Sequence, residues 1–209
     1  MTKHSTSENG RFYDIGAGIL EFMSRYLSIK RRDVTAQEPL ELYHKELSAN
    51  CKNIKTTNLP FLEMNEDTKY AVIYADSVFE HVANPLEYIF KSAKLLETGR
   101  VLYFISLNEN SFVKYFLTLL NKKNNYIHYL SPYVFPYHLI GFSKRSIEIA
   151  ANHSGLKLIK YIRRYDYLWF HILKKAFNPL KYLASVFLFI ADLFGFEANL
   201  EIIMKKVKE

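Results

Sequence analysis

The stretch Phe12-Tyr13-Asp14-Ile15-Gly16-Ala17-Gly18 restricts the fold of this chain more than any other part of it. A short apolar run with an acid near its end turns through two glycines. It continues into the helix-like Ile19-Leu20-Glu21-Phe22-Met23-Ser24-Arg25-Tyr26-Leu27. Strand, tight turn and helix in that order open a nucleotide-binding βαβ unit. The glycines belong there because the backbone must reverse sharply and let a bulky ligand approach with no Cβ in the way. Glu38 follows about 20 residues beyond the turn, where such units place a carboxylate for ribose hydroxyls.

The rest of the chain supports the same architecture. Residues 33–37 read as a second strand that delivers Glu38, and Pro39 opens a helix with Leu40, Leu42, Tyr43 and Leu47 at helical spacing. Residues 53–57 make a short third strand. Residues 70–75, Tyr-Ala-Val-Ile-Tyr-Ala, are continuously apolar, as a parallel strand covered on both faces should be. This strand runs into Asp76-Ser77-Val78-Phe79-Glu80-His81-Val82. After Asn84-Pro85 comes an amphipathic helix with Leu86, Ile89, Phe90, Ala93 and Leu96 at intervals of three and four, capped by Gly99. Strands are expected at 101–106, 156–162 and 200–204, and a helix capped by Ser143 runs to about His153. Strands alternating with helices specify an α/β fold with a mostly parallel sheet.

Two segments depart from the alternation. Residues 110–120 read as a helix, and 122–142 as a long loop rich in Tyr, His and Pro, including Tyr133, Tyr137 and His138. Loops of that length in a compact domain are functional lids or disordered, and the aromatic content favours a lid. Residues 167–196 are unusually apolar and read as two helices broken at Asn178-Pro179. A helix apolar on most sides needs cover from a core, a second subunit or a membrane surface. The stretch 180–196 is therefore a candidate for homodimerisation or peripheral membrane contact.

At 209 residues one domain is expected. The net charge of +7 is dispersed in pairs such as Arg31-Arg32 and Lys122-Lys123, a pattern of solvated surface rather than of a nucleic-acid arm. Cys51 is the single cysteine, which excludes an internal disulfide and fits a reducing cytoplasm. Residues 1–9 lack the apolar core of a signal peptide, and the longest apolar run, 182–191, is shorter than the roughly 20 residues a bilayer span takes.

With these elements in order, the sequence resembles the class I S-adenosylmethionine-dependent methyltransferases, in particular the subgroup that methylates small molecules, quinones and glycans. The resemblance rests on Asp14-Ile15-Gly16-Ala17-Gly18, Glu38, Asn58-Leu59-Pro60-Phe61, the passage from Tyr70 to Glu80-His81-Val82, the Leu96 to Tyr103 passage, and Phe135-Pro136-Tyr137-His138 with Gly141-Phe142-Ser143. It implies a Rossmann-like three-layer sandwich, a seven-stranded sheet with its last strand antiparallel, and S-adenosyl-L-methionine as cofactor. It further implies a single methyltransferase domain over 1–209, with an acceptor-side lid insertion at 107–142 and an apolar helical insertion at 167–196.

Carried over position by position, Asp14, Gly16, Ala17 and Gly18 line the methionine and ribose moieties, and Glu38, followed by Pro39, takes the ribose hydroxyls. Asn58 and Leu59 border the adenine, and Asp76 and Ser77 flank the methionine end and the acceptor. Leu20 stands where members usually have a further glycine, Thr57 or Asn58 where an acid is common. Few residues precede Arg11, so cover for the site is expected from elsewhere in the chain or from a partner.

A methylsulfonium is already a strong electrophile, so the protein has to align the acceptor and remove a proton when that acceptor is a hydroxyl. His81 and His138 are the residues expected to do so, because imidazole titrates near neutrality. Glu80-His81 is similar to a carboxylate–histidine pair that binds a divalent metal in some quinone methyltransferases, but Ser77 replaces the second acid. Two ligands are too few, and no metal is expected. Asp76-Ser77-Val78-Phe79 lacks the Pro-Pro-aromatic element of nucleic-acid amino methylation, so the expected acceptor is a small molecule or glycan. The competing expectation is a degenerate methyltransferase-like module used for binding or dimerisation.

Overall fold

The structure is a computed structural model and describes residues 10–19, 33–52, 54–111, 138–164 and 199–207. The helix expected after the glycine turn, with Leu20, lies outside the described residues. So do most of the 110–142 segment and the apolar stretch 167–196.

The elements, in chain order, are β1 (Phe12–Ile15), β2 (Val34–Gln37), α1 (Glu41–Asn50), β3 (Lys55–Thr57), β4 (Tyr70–Asp76), α2 (Pro85–Leu95), β5 (Leu96–Leu107), α3 (Lys144–His153), β6 (Leu156–Arg164) and β7 (Asn199–Lys206). The strands form one seven-stranded sheet in the order β3-β2-β1-β4-β5-β7-β6. Strands β1 to β5 pair in parallel, and β7 runs antiparallel to both β5 and β6. The chain thus has the Rossmann-like α/β sandwich and the antiparallel last strand that its sequence implied. Strand order reverses at β1, between β2 on one side and β4 on the other. Ligands of open α/β sheets bind at such a switch point, outside the carboxyl ends of the strands.

The central strands carry the core because they are buried on both faces. Tyr13, Ile15, Ile73, Leu102, Phe104, Ile202 and Met204 lie on one side, with Phe79, Ile89 and Ile147 packed over them. Phe12, Tyr74, Tyr103 and Ile203 form a cluster of their own. Phe104 is the aromatic hub of the first side, 4.8 Å from Phe79 and 5.8 Å from Phe142 between ring centroids.

Three local expectations need correction. Gly99 does not cap a helix: α2 ends at Leu95 and the chain enters β5 directly at Leu96. Gly99 instead adopts φ +80° within β5, at the irregularity where the β4–β5 register shifts from Tyr70↔Leu96 to Val72↔Val101. The helix expected from Pro39 starts at Glu41. Of its apolar residues only Leu47 is buried, while Leu40, Leu42 and Tyr43 are exposed.

Candidate functional site

Strand β1 hands the chain to the glycine turn at the carboxyl edge of the sheet. Gly16 and Gly18 both take the left-handed conformation, with φ of +63° and +62°. The turn is tied to the end of β2 by successive backbone N–H groups: Gly16 N–H donates to Gln37 Oε1 (3.1 Å), Ala17 N–H to the Gln37 carbonyl (2.8 Å) and Gly18 N–H to Glu38 Oε2 (3.0 Å). Glu38 Oε1 accepts from Leu40 N–H at 3.0 Å. Its own N–H donates to the Thr57 carbonyl, which joins the end of β3 to the same edge.

The Glu38 carboxylate is buried, yet each oxygen uses only part of its accepting capacity on the backbone. It can fix the turn and also receive the vicinal hydroxyls of a ribose. Gln37 escaped the sequence reading. Its role comes from the register Ile15↔Gln37, which sets it opposite the last residue of β1.

A second contact closes the turn from the β4 side. A Cβ built on Gly16 would stand 2.7 Å from Val78 Cγ2, so the glycine is needed for room as well as for its φ. Asp14 is buried at the end of β1, opposite Ala36 and Tyr74. Pro39, Asn58 and Leu59 are exposed on the rim, with the Leu59 N–H donating to Thr57 Oγ1 at 3.1 Å.

At the end of β4, Asp76 accepts from Tyr74 Oη (3.0 Å) and Ser77 Oγ (3.1 Å). Burial, then the Asp76 carboxylate, drive the Tyr74 phenol far above its ordinary range. Ser77 has φ +55°, a left-handed conformation outside glycine, and its N–H donates to the Ile105 carbonyl. That conformation swings the chain out of the sheet towards Glu80 and His81.

Glu80 is buried, and its Oε2 accepts from Ser106 Oγ on β5 at 2.7 Å. Burial pushes its carboxyl above the usual carboxylate range, against the opposing pull of the Ser106 hydroxyl. Its backbone carbonyl accepts from Leu139 N–H (2.8 Å) and Ile140 N–H (3.3 Å). The chain then continues alongside β5: Phe142 N–H donates to the Leu107 carbonyl and Glu109 N–H to that of Phe142, both at 2.9 Å. Gly141 passes so close that a Cβ there would meet Glu109 Cα at 3.1 Å and its backbone N at 3.2 Å.

The consequence of this strap is positional. His138, at its start, lies against His81, with ring centroids 4.4 Å apart and planes tilted by 36°. Burial, and then His81, lower the His138 imidazole from its ordinary value. One ligand atom from each of Glu80, His81 and His138 lies within 4.8 Å of the others.

The glycine turn, Glu38 and the residues following β4 thus gather on one edge of the sheet, with the two histidines past β4. Among the described residues, no helix is long and apolar enough to cross a membrane.

Comparison with known proteins agrees with this geometry. Residues 4–161 match a family model described as a methyltransferase domain. No curated protein matches the sequence. Among solved structures, the chain is similar to a SAM-dependent methyltransferase of Methanosarcina mazei, with TM-score 0.68 and 12% identity over 98% of this chain and 96% of that one. It is similar to magnesium protoporphyrin IX methyltransferase of Synechocystis, solved with bound SAH, with TM-score 0.64 and 12% identity over 95% and 74%. A Haloferax volcanii protein solved in complex with the Trm112 methyltransferase activator gives TM-score 0.68 and 11% identity over 99% and 86%.

Proposed function

Because the chain belongs to the class I S-adenosylmethionine-dependent methyltransferases, we propose that it carries the methyl group to a hydroxyl of a small molecule or glycan intermediate. The observation that carries this reading is the His81–His138 pair held past the end of β4. Methylating a hydroxyl breaks the methyl–sulfonium bond, forms a C–O bond and releases a proton along with S-adenosylhomocysteine. A proton acceptor on the acceptor side is what such a reaction requires. The cofactor's ribose falls to Glu38 and its remaining polar groups to the glycine turn with Asp14. Asn58 and Leu59 border the adenine, and Asp76 and Ser77 face the methionine end.

The partners follow from the same reading. The acceptor is a small molecule rather than nucleic acid, in keeping with the dispersed charge. The apolar stretch 180–196 is a candidate surface for a second copy, a membrane or a partner, and the similar Haloferax volcanii protein was solved in complex with an activator. The single cysteine, Cys51, fits a reducing cytoplasm.

Leu20, where members of the family usually have a further glycine, motivates a second reading, a non-catalytic binding or dimerisation module. Isothermal titration with S-adenosylhomocysteine separates the two. Micromolar binding abolished by Glu38→Ala, followed by label transfer from the cofactor to a hydroxylated acceptor, is expected for the enzyme. The absence of binding at millimolar ligand would leave the module.

A further inference from the structure

We propose that Tyr74 is a positioning residue for the cofactor: its phenol holds the Asp76 carboxylate in the orientation that receives the α-ammonium group of the methionine moiety. The role rests on the proposed reading in which Asp76 faces the methionine end, and it belongs to a residue that the apolar run 70–75 conceals in the sequence.

A strand covered on both faces has use for the Tyr74 ring but not for its hydroxyl. The ring packs against Phe12 and Tyr103, with centroids 6.2 and 5.2 Å away, and only 5% of the residue is exposed. So enclosed a side chain keeps one rotamer, and its hydroxyl is a fixed point. Oη donates to Asp76 Oδ2 at 3.0 Å, two residues along on the same face of β4. Burial, then Asp76 itself, hold the phenol proton far above its ordinary range, so Tyr74 stays a donor at any pH the enzyme meets.

Asp76 is exposed, and an exposed carboxylate ordinarily turns among several rotamers. Here both oxygens are held, Oδ2 by Tyr74 and Oδ1 by Ser77 Oγ at 3.1 Å. Each oxygen keeps accepting capacity beyond that one bond. Among the described residues no lysine, arginine or histidine forms an ion pair with Asp76, so the fixed charge stays available to a ligand.

Placement selects the ligand group. Asp76 follows the last β1–β4 pair, Ile15↔Ala75, and so stands beside the glycine turn at the switch point. Asp14, opposite Tyr74 in register, brings a second carboxylate to the same face. Of the cofactor's two cationic centres the sulfonium has no N–H, so the α-ammonium is the one that can donate hydrogen bonds to a carboxylate. Fixing that carboxylate before the ligand arrives removes an ordering cost from binding.

The test is calorimetric titration of the full chain and its variants with S-adenosylhomocysteine and with methylthioadenosine, which shares the adenosine and the thioether but lacks the amino-acid end. Tyr74→Phe keeps the ring and removes the hydroxyl. It is expected to weaken S-adenosylhomocysteine about tenfold and to leave methylthioadenosine unchanged. Asp76→Asn should weaken S-adenosylhomocysteine at least as much. Adding Tyr74→Phe to Asp76→Asn should then cost less than about twofold more, because the phenol acts through the carboxylate. Unchanged S-adenosylhomocysteine affinity in Tyr74→Phe would overturn the proposal, as would a full tenfold effect that persists on top of Asp76→Asn. Equal weakening of both ligands would overturn it too, since that is what a purely structural role gives. A native chain that binds neither ligand removes the methyltransferase reading itself and this role with it, an outcome distinct from native binding that Tyr74→Phe leaves intact.

Discussion

Replacing Gly16 with Ala should destabilise the chain distinctly more than replacing Gly18 or Gly155, although the three glycines have nearly the same φ of +63°, +62° and +69°. For any of them, a Cβ in the left-handed region costs about 1–2 kcal/mol. The loss of unfolded-state freedom gives back about 0.4–1 kcal/mol. Gly18→Ala and Gly155→Ala, where nothing among the described residues stands within 4 Å of the new Cβ, should therefore lose only about 0–1.6 kcal/mol net. Gly16→Ala adds the collision with Val78 Cγ2 at 2.7 Å. Forcing a methyl into a packed site costs about 1–3 kcal/mol, so the total should reach about 1–4.6 kcal/mol, about 1–3 kcal/mol beyond the other two. Urea unfolding followed by far-UV circular dichroism measures all three, with the m-value checked for constancy. The double variant Gly16→Ala/Val78→Ala separates the terms. Measured against Val78→Ala, its loss should fall to that of Gly18→Ala, because the collision is gone and only the backbone term remains. Equal losses for Gly16→Ala and Gly18→Ala would refute the Val78 contact as the reason for glycine at position 16.

Ser143→Ala should cost about 0.5–2 kcal/mol in the same assay, since the Ser143 side chain accepts from Ser146 N–H in a reciprocal capping box at the start of α3. Phe104→Ala should cost about 3–5 kcal/mol, because it empties a fully buried site between Phe79 and Phe142; Phe104→Leu should recover most of that. Lys91, and more weakly Lys94, hold the Glu66 carboxyl below its ordinary 4.5. A lowered folded-state pKa contributes stability that is present above 4.5 and lost as pH falls through the folded value. Glu66→Gln should therefore flatten the acid limb of the stability–pH curve measured below that pH and leave the slope near neutrality unchanged.

The strands were legible because they are short apolar runs between polar breaks, and a strand buried on both faces cannot be written otherwise. The run 70–75 and the run 101–106 are central strands of the sheet, β4 and β5. The helix α1 misled for the same reason in reverse. Apolar spacing shows which side chains share a face, but not how much sheet is available to cover them, and at the β2–β3 edge Leu40, Leu42 and Tyr43 remain exposed. Gly99 misled because a left-handed glycine serves a helix end and a register shift within a strand equally well.

What the sequence determined by itself was the glycine turn and the strand-end carboxylate beside it. Gly16, Gly18 and Glu38 announce themselves because a sharp turn and a strand-end carboxylate are local demands on residue type. Tertiary structure alone decided what surrounds them. The Gln37 amide holds the turn through strand register, and Val78 presses on Gly16 from the loop after β4. His138 reaches His81 because the strap hydrogen-bonds to Glu80 and Leu107. Each of these contacts joins residues far apart along the chain, and chain distance carries no record of which side chains the closing sheet will bring together.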